Sequence, residues 1–145
     1  MAEEHTNRAD VFVDGASKGN PGPAGVGVFI RLPGGDEDSE ITIEDPIGKT
    51  TNNVAEYRAL IRALQECAKL GIPTVRVHTD SELVEKQLKG SYAVKDEKLF
   101  PLYMRAKQLI KSFHKVEIRL VPREENKVAN NLAQNASRMA AVEPE

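Results

Sequence analysis

The sequence predicts an α/β fold, in which a mixed sheet of five strands carries helices on both faces. Three stretches of strand-like alternation come first, and the short connections between them favour an antiparallel meander. From about residue 53 the apolar spacing becomes helical, and helices then alternate with two further strands. Crossovers through helices make neighbouring strands parallel, so the sheet is expected to combine both kinds of pairing.

The first half of the chain supplies the expected meander. Residues 10–16 alternate, with Val11 and Val13 on one face and Phe12 and Asp14 on the other. Residues 15–25 are rich in glycine and are expected to form a loop. The second and third strands are predicted over residues 25–32 and 40–48, with a turn over residues 33–36.

The second half of the chain has helical periodicity. Residues 53–70 carry apolar side chains at helical spacing and are followed by Gly71 and Pro73, which predicts a long helix. The later elements are a strand over 74–79, helices over 81–89 and 99–113, a strand over 116–121 and a helix over 126–139. The side chains expected to face the core from that last helix are Val128, Leu132, Ala133 and Ala136.

The composition excludes several functional classes. The chain has 145 residues, a net charge of −2 and one cysteine, which excludes an internal disulfide and a thiolate metal cage. No apolar run approaches the ~18 residues that a membrane span needs. We therefore expect a cytoplasmic, monomeric protein that is a single domain over residues 1–145, with an ordered core from about 9 to 140.

The charge is uneven along the chain. Residues 1–70 carry 7 basic and 12 acidic side chains, whereas residues 86–127 carry 11 basic and 5 acidic ones. A basic stretch attracts polyanions even when the net charge is near zero, although lysines on exposed helix faces also serve merely to solvate the surface. Nucleic acid therefore stays open as a class of partner.

Three carboxylates stand where predicted elements end or begin. Asp14 lies near the end of the first strand, Asp80 follows the fourth strand, and Glu56 lies in the first turn of the long helix. If the first and fourth strands are neighbours, these side chains meet at one edge of the sheet. Carboxylates without a basic partner are costly unless a cation neutralises them, and such oxygen ligands suit Mg²⁺ or Mn²⁺.

Each carboxylate also has a purely structural interpretation. Asp14 is compatible with a turn, and Asp80 with Ser81 is compatible with helix capping. Asn53 and Glu56 have the spacing of a capping box. Taken singly, the carboxylates therefore leave structural and functional roles open.

Two polar segments accompany the carboxylates. Residues 17–23 contain glycines that let a backbone approach a ligand closely. This segment lacks the Gly-Lys-Ser/Thr ending of a Walker A loop, and it leads into a strand, unlike a dinucleotide-binding fingerprint. Residues 50–53 precede the long helix, where free N–H groups favour a phosphate.

Four motifs together resemble the ribonuclease H type 1 family. They are F-V-D-G-A-S-K-G-N-P-G-P-A-G over residues 12–25, T-N-N-V-A-E-Y over 51–57, T-D-S over 79–81 and N-K-V-A-N-N-L-A over 126–133. They occur in the family's order, and the resemblance spans about residues 9–138. It implies the ribonuclease H fold, whose five-stranded sheet has the order 3-2-1-4-5.

The resemblance also implies a chemistry. Family members hydrolyse the RNA strand of RNA/DNA hybrids endonucleolytically, with two divalent cations held by four acidic residues. Three of these correspond to Asp14, Glu56 and Asp80, and the fourth, an aspartate, falls on Asn130. The implied reaction is in-line attack of metal-activated water on a phosphodiester, giving 5′-phosphate and 3′-hydroxyl ends. The implied cofactors are two Mg²⁺ ions, with Mn²⁺ as an alternative.

Asn130 departs from the family pattern. An amide has nearly the shape of a carboxylate but no charge, so we expect the fold to tolerate it while one metal loses a charged ligand. We expect turnover to fall by orders of magnitude while hybrid binding survives. An asparagine introduced to trap substrate and a natural asparagine both fit the sequence.

The resemblance assigns further residues to substrate contact. Asn20, Asn52 and Asn53 are assigned to the minor groove, where 2′-hydroxyls distinguish RNA from DNA, and Thr51 is assigned to a DNA phosphate. Recognition is therefore expected to be independent of base sequence and to weaken with salt. The other expected contacts are Gly15, Ser17, Lys18, Ser81 and Arg123.

Two loops depart from the family pattern. The segment between Gly90 and Leu99 is too short for the basic, tryptophan-bearing protrusion of many members, and four lysines are expected to replace it only in part. These lysines are Lys86, Lys89, Lys95 and Lys98. Residues 122–126 lack the histidine that assists proton transfer or product release, and the candidates for its role are Arg123, Glu124 and Glu125.

Two other functions stay open from the sequence. One is a naturally inactive module that binds RNA/DNA hybrids. The other is a different nuclease of the same superfamily, such as a 3′ to 5′ exonuclease. The loop that carries Asn20 and the pair Asn52 and Asn53 favour hybrid recognition over the exonuclease.

Overall fold

The computed structural model describes residues 8–33 and 39–142, which form strands and helices in the predicted order βββαβααβα. The strands are β1 (Arg8–Ser17), β2 (Gly22–Leu32), β3 (Ser39–Thr50), β4 (Thr74–Thr79) and β5 (Lys115–Leu120). The helices are α1 (Asn52–Lys69), α2 (Glu82–Leu88), α3 (Phe100–Lys111) and α4 (Lys127–Val142), with a 3₁₀ turn, Arg123–Glu125, before α4. Most of the turn predicted over residues 33–36 lies outside the described residues.

The sheet has the order β3-β2-β1-β4-β5, as the resemblance implies. β2 is antiparallel to both β1 and β3, whereas β4 is parallel to both β1 and β5. In the parallel pair, Val13 of β1 lies opposite Thr79 of β4. Asp14 and Asp80, which follow these two residues, are therefore brought to the same edge of the sheet.

The prediction of a loop over residues 15–25 is wrong, because most of these residues belong to the sheet. Ser17 is paired with Ala24, so the connection between β1 and β2 is short. The glycines that suggested a loop are sites of close packing instead. A Cβ on Gly15 would lie 2.3 Å from the carbonyl carbon of Ala55 in α1, and one on Gly25 would lie 2.4 Å from Cβ of Ala136 in α4.

The core lies between the sheet and α1, with valines of β1 and β4 packed against Leu60 and Leu64. On the other face, α4 presents the small side chains Ala129, Ala133, Ala136 and Ser137 to the sheet. A Cβ on Gly27 would lie 2.2 Å from the carbonyl oxygen of Ala129, so this contact has no space for larger residues. The expectation that Val128 faces inward is therefore wrong, and Val128 is 45% exposed.

None of the helices within residues 8–33 and 39–142 is both long enough and apolar enough to cross a bilayer.

Candidate active site

Three acidic side chains converge at the edge of the sheet. Asp14 of β1, Glu56 of α1 and Asp80, just after β4, each have a carboxylate oxygen within 4.8 Å of the other two. Asp14 is 2% exposed, and the Asp80 side chain is 8% exposed. The prediction that these three side chains meet is confirmed, and we call them the acidic cluster.

The backbone of Gly15 positions the helical member of the acidic cluster. Its N–H donates to Oε1 of Glu56 at 3.0 Å and also lies 3.0 Å from Oδ1 of Asp14. The capping box predicted for Asn53 and Glu56 is wrong, because Thr51 caps α1 by accepting a hydrogen bond from the Val54 N–H at 3.3 Å. Glu56 is therefore free of any capping role and faces the cluster.

A second cap explains the residue beside Asp80. Ser81 caps α2, and its Oγ accepts a hydrogen bond from the Val84 N–H at 3.2 Å. The structural interpretation of Ser81 as a capping residue is confirmed, whereas Asp80 belongs to the acidic cluster.

Burial dominates the electrostatics of the acidic cluster. Desolvation raises the pKa of Asp14 from 3.8 to about 6; the hydrogen bond from Asn130 opposes this rise, and the charge of Asp80 adds to it. Burial, followed by the charges of Asp14 and Asp80, raises the pKa of Glu56 well above its usual value. Asp14 and Glu56 thus have too little positive charge nearby to offset the cost of burying their ionised forms.

Two polar side chains contact the acidic cluster, one from the 3₁₀ turn before α4 and one from the first turn of α4. Asn130 Nδ2 donates to Oδ2 of Asp14 at 2.7 Å, and Nη1 of Arg123 lies 3.6 Å from Oδ2 of Asp80. Within the described residues, Arg123 is the only cationic side chain within salt-bridge distance of the cluster. Its side chain is 66% exposed, so solvent weakens this interaction.

A network of amides joins the end of β1 to the start of α1, the two elements that carry Asp14 and Glu56. The N–H and Oγ of Ser17 both donate to Oδ1 of Asn52, at 2.9 and 3.0 Å, and the Asn52 N–H donates to Oδ1 of Asn20 at 3.1 Å. These bonds occupy both Oδ1 atoms, and neither Nδ2 group has a hydrogen-bond partner in the part of the chain described. The surface therefore presents amide donors to a ligand.

Asn20 of this network also lines an open cleft of about 480 Å³. The other lining residues include Thr51, Asn53 and residues 96–99. Lys98 provides positive charge there, beside the acidic Asp96 and Glu97.

The other predicted basic contacts are placed differently. Lys18 and Lys95 are exposed, whereas Nζ of Lys86 and Nζ of Lys89 lie 3.1 and 2.6 Å from the carboxylate of Glu85. Glu85 is only 4% exposed, so its charge offsets part of the positive charge that the two lysines contribute.

Asn126 is a positioning residue that the sequence analysis missed. It is 1% exposed, and its Nδ2 donates to the carbonyl oxygen of Val13 at 2.9 Å. The backbone carbonyl oxygen of Asn126 accepts a hydrogen bond from the backbone N–H of Asn130 at 3.0 Å. Asn126 thus ties the start of α4 to β1 beside Asp14. The available signal was an asparagine in the last motif, immediately before the helix.

Comparison with known proteins gives the family. Residues 12–136 match the reverse transcriptase-like family. Ribonuclease HI of Halobacterium salinarum is 44% identical over 131 residues, which cover 89% of this chain and 64% of that protein. The bifunctional protein Rv2228c of Mycobacterium tuberculosis is 42% identical over 133 residues, which cover 90% of this chain and 36% of that protein. The chain thus spans about a third of the length of this mycobacterial relative.

Two solved ribonuclease H structures are similar over nearly their whole length. RNase H1 of Halobacterium salinarum has a TM-score of 0.81 at 41% identity, covering 92% of this chain and 99% of that one. LC11-RNase H1, isolated from compost and solved in complex with an RNA/DNA hybrid, has a TM-score of 0.77 at 34% identity, covering 91% and 98%. The chain belongs to the ribonuclease H type 1 family, within the wider reverse transcriptase-like family.

Proposed function

We propose that this chain binds RNA/DNA hybrids and hydrolyses their RNA strand endonucleolytically, at a rate that Asn130 reduces. The observation that carries the proposal is the acidic cluster, whose three carboxylates come within 4.8 Å of one another. Family membership and the amide donors of Asn20 and Asn52 support it.

The residues of the site fit divalent cations. Their donors are carboxylate oxygens, which suit hard cations, and the cluster has too little positive charge of its own. Asp14, Glu56, Asp80 and the amide oxygen of Asn130 would hold two Mg²⁺ ions, or Mn²⁺ in their place. When bound, these ions supply Lewis-acid stabilisation of the charge that develops on the scissile phosphate.

The protein's own groups would select and orient the hybrid. Ser17 holds the side chain of Asn52, and the Asn52 N–H holds that of Asn20; the free Nδ2 donors of both match 2′-hydroxyl and base acceptors of the minor groove. Thr51, Asn53 and Lys98 line the neighbouring cleft, where a DNA phosphate would bind. Such contacts read shape and sugar, so recognition would be independent of base sequence and would weaken with salt.

Hydrolysis adds water across the bond between phosphorus and the 3′ oxygen. The oxygen of water stays on the 5′-phosphate, and a proton reaches the leaving 3′ oxygen. Of the three candidates in the loop before α4, Arg123 is the one that contacts the cluster within the described residues. We therefore favour Arg123 over Glu124 and Glu125 for a supporting role in this step.

Asn130 would slow the reaction without preventing binding. It keeps one amide oxygen as a neutral ligand, whereas its Nδ2 donates to Asp14 at 2.7 Å. This hydrogen bond satisfies Asp14 without a cation. It therefore favours, as a second candidate function, a hybrid-binding module that does not cleave.

Cleavage and binding measured side by side test the proposal. This chain and its Asn130→Asp variant are incubated with Mg²⁺ and one labelled sequence as RNA/DNA hybrid, RNA duplex or DNA duplex. We expect both proteins to bind the hybrid and neither of the two duplexes. We expect Asn130→Asp to cut the RNA strand of the hybrid internally, leaving 5′-phosphates. Binding without rescue of cleavage would favour the second candidate function. A ladder shortened only from one end would favour an exonuclease, and absence of hybrid binding would refute both proposals.

A further proposal concerns domain organisation and oligomeric state. We infer that residues 9–140 form a single functional unit that works as a monomer, because the acidic cluster is assembled from elements of one chain. Light scattering after size exclusion should give a mass near 16.0 kDa. A stable dimer would contradict the monomer.

A further inference from the structure

A second cavity lies between α1, α3 and the pair β2 and β3. It has a volume of about 320 Å³ and shares no lining residue with the acidic cluster or with the amide-lined cleft. Its apolar lining consists of Val26, Ile47, Ile61 and Leu102. The rest of the lining consists of the three arginines Arg58, Arg62 and Arg105, one carboxylate, Asp45, and Gln65. We call it the arginine cavity.

Only one of the three arginines forms ion pairs with carboxylates of the described residues. Nη1 of Arg62 lies 3.0 Å from Oδ2 of Asp45, and its Nε lies 3.2 Å from Oε2 of Glu66. Arg58 and Arg105, by contrast, make no ion pair with any residue in the described ranges 8–33 and 39–142. The cavity therefore has two guanidinium groups whose charge the described protein leaves without a counter-charge.

Packing alone does not explain this concentration of charge. Arg58 and Arg62 stand four residues apart on α1, a spacing at which like charges repel each other. Arg105 adds a third positive charge from α3. Apart from Arg58 and Arg62, residues 1–70 carry 5 basic and 12 acidic side chains, so these two arginines stand in an acidic part of the chain, whereas Arg105 belongs to the basic stretch of residues 86–127. A bound anion would turn this repulsion into attraction.

The shape and chemistry of the cavity define the class of anion. Guanidinium groups bind phosphate oxygens through paired hydrogen bonds, and the apolar wall accommodates the nonpolar face of an aromatic base carried on the same ligand. The volume is at the lower end of the range for small-molecule pockets and is too small for a duplex. We propose that the arginine cavity binds a small organic phosphate of the size of a nucleoside monophosphate, with the phosphate between Arg58 and Arg105. This proposal does not depend on the proposed nuclease activity.

Amide NMR titration of the full chain tests the proposal. AMP is added in the presence of EDTA, with adenosine and inorganic phosphate as separate probes. We expect saturable shifts at Gln65 and Leu102, which line the cavity, and none at Gly15. The dissociation constant for AMP should be at or below about 1 mM, and adenosine should bind at least about tenfold more weakly. Inorganic phosphate should also bind more weakly, because it lacks the aromatic base.

A charge-matched pair of variants locates the site. Arg58→Gln with Arg105→Gln should weaken AMP binding at least about tenfold, whereas Arg31→Gln with Arg119→Gln should leave it unchanged. All four arginines are exposed, so both double variants should keep the dispersed spectrum of the folded chain. Absence of saturable binding, equal affinity for adenosine or inorganic phosphate, or equal effects of the two double variants would overturn the proposal. Weaker hybrid binding by the first variant would instead make the cavity part of the nucleic-acid interface, which also overturns it.

Discussion

Replacement of Asn130 by aspartate is expected to destabilise the metal-free protein. The change removes the hydrogen bond of 2.7 Å from Nδ2 to Asp14, and such a bond to a charged group contributes about 1.5–3 kcal/mol. It also places two carboxylates together. Charges about 4 Å apart at an effective dielectric constant near 20 repel by about 4 kcal/mol. Because the pair can take up a proton instead, we expect the free energy of unfolding at pH 7 to fall by about 2–4 kcal/mol.

Urea unfolding in EDTA and in excess Mg²⁺ measures this effect. Metal that binds only the folded state adds about 2.7 kcal/mol at one hundred times its dissociation constant, so Mg²⁺ should restore most of the loss. Asn131→Asp is the matched control, because it adds the same charge one residue later at an exposed position. An equal loss of unfolding free energy in both variants would show that the contact of Asn130 with Asp14 is not the cause. A loss in Asn130→Asp that Mg²⁺ leaves unchanged would likewise contradict the prediction.

Three further predictions concern the same site. In EDTA, the free energy of unfolding should fall by on the order of 3 kcal/mol between pH 4 and pH 7, because the folded state binds the Asp14 proton more tightly than the unfolded state does. Asp14→Asn should reduce this fall in urea titrations by the part that Asp14 contributes, while the raised pKa of Glu56 sustains the rest, and an unchanged pH profile would contradict the prediction. Gly15→Ala should cost about 1–3 kcal/mol, because its Cβ would lie 2.3 Å from the backbone of Ala55; a loss below about 0.5 kcal/mol in urea unfolding would contradict it. Asn52→Ala, which removes the acceptor of both Ser17 bonds, should weaken hybrid binding about tenfold in fluorescence anisotropy, and unchanged affinity would remove Asn52 from the interface.

The order of the elements and the meeting of the carboxylates could be predicted from the sequence. β-branched runs such as residues 74–79 have a strong periodic signal, and the adjacency of β1 and β4 then brings Asp14 and Asp80 together. The ends of β1 and β2 could not be predicted. Gly15 and Gly25 are there because helices touch the sheet directly, and small residues give no alternating apolar pattern.

Side-chain hydrogen bonds were also beyond prediction from the sequence. The choice of Thr51 as the cap of α1 depends on where the helix begins, and helix ends are the least certain part of a pattern. The buried bond from Asn126 to Val13 joins residues 113 positions apart in the chain. No local pattern reports a contact of that kind, so Asn126 looked like an ordinary residue at the start of a helix.

We propose that Asn130 limits cleavage at a site whose three carboxylates, Asp14, Glu56 and Asp80, are already assembled. The most direct test is the single-turnover rate of hybrid cleavage at saturating protein and Mg²⁺, measured for this chain and for Asn130→Asp. We predict that the variant cleaves at least about tenfold faster, which corresponds to about 1.4 kcal/mol of transition-state stabilisation, with unchanged hybrid affinity. Rates that agree within about a factor of two, whether both fast or both negligible, would contradict the claim.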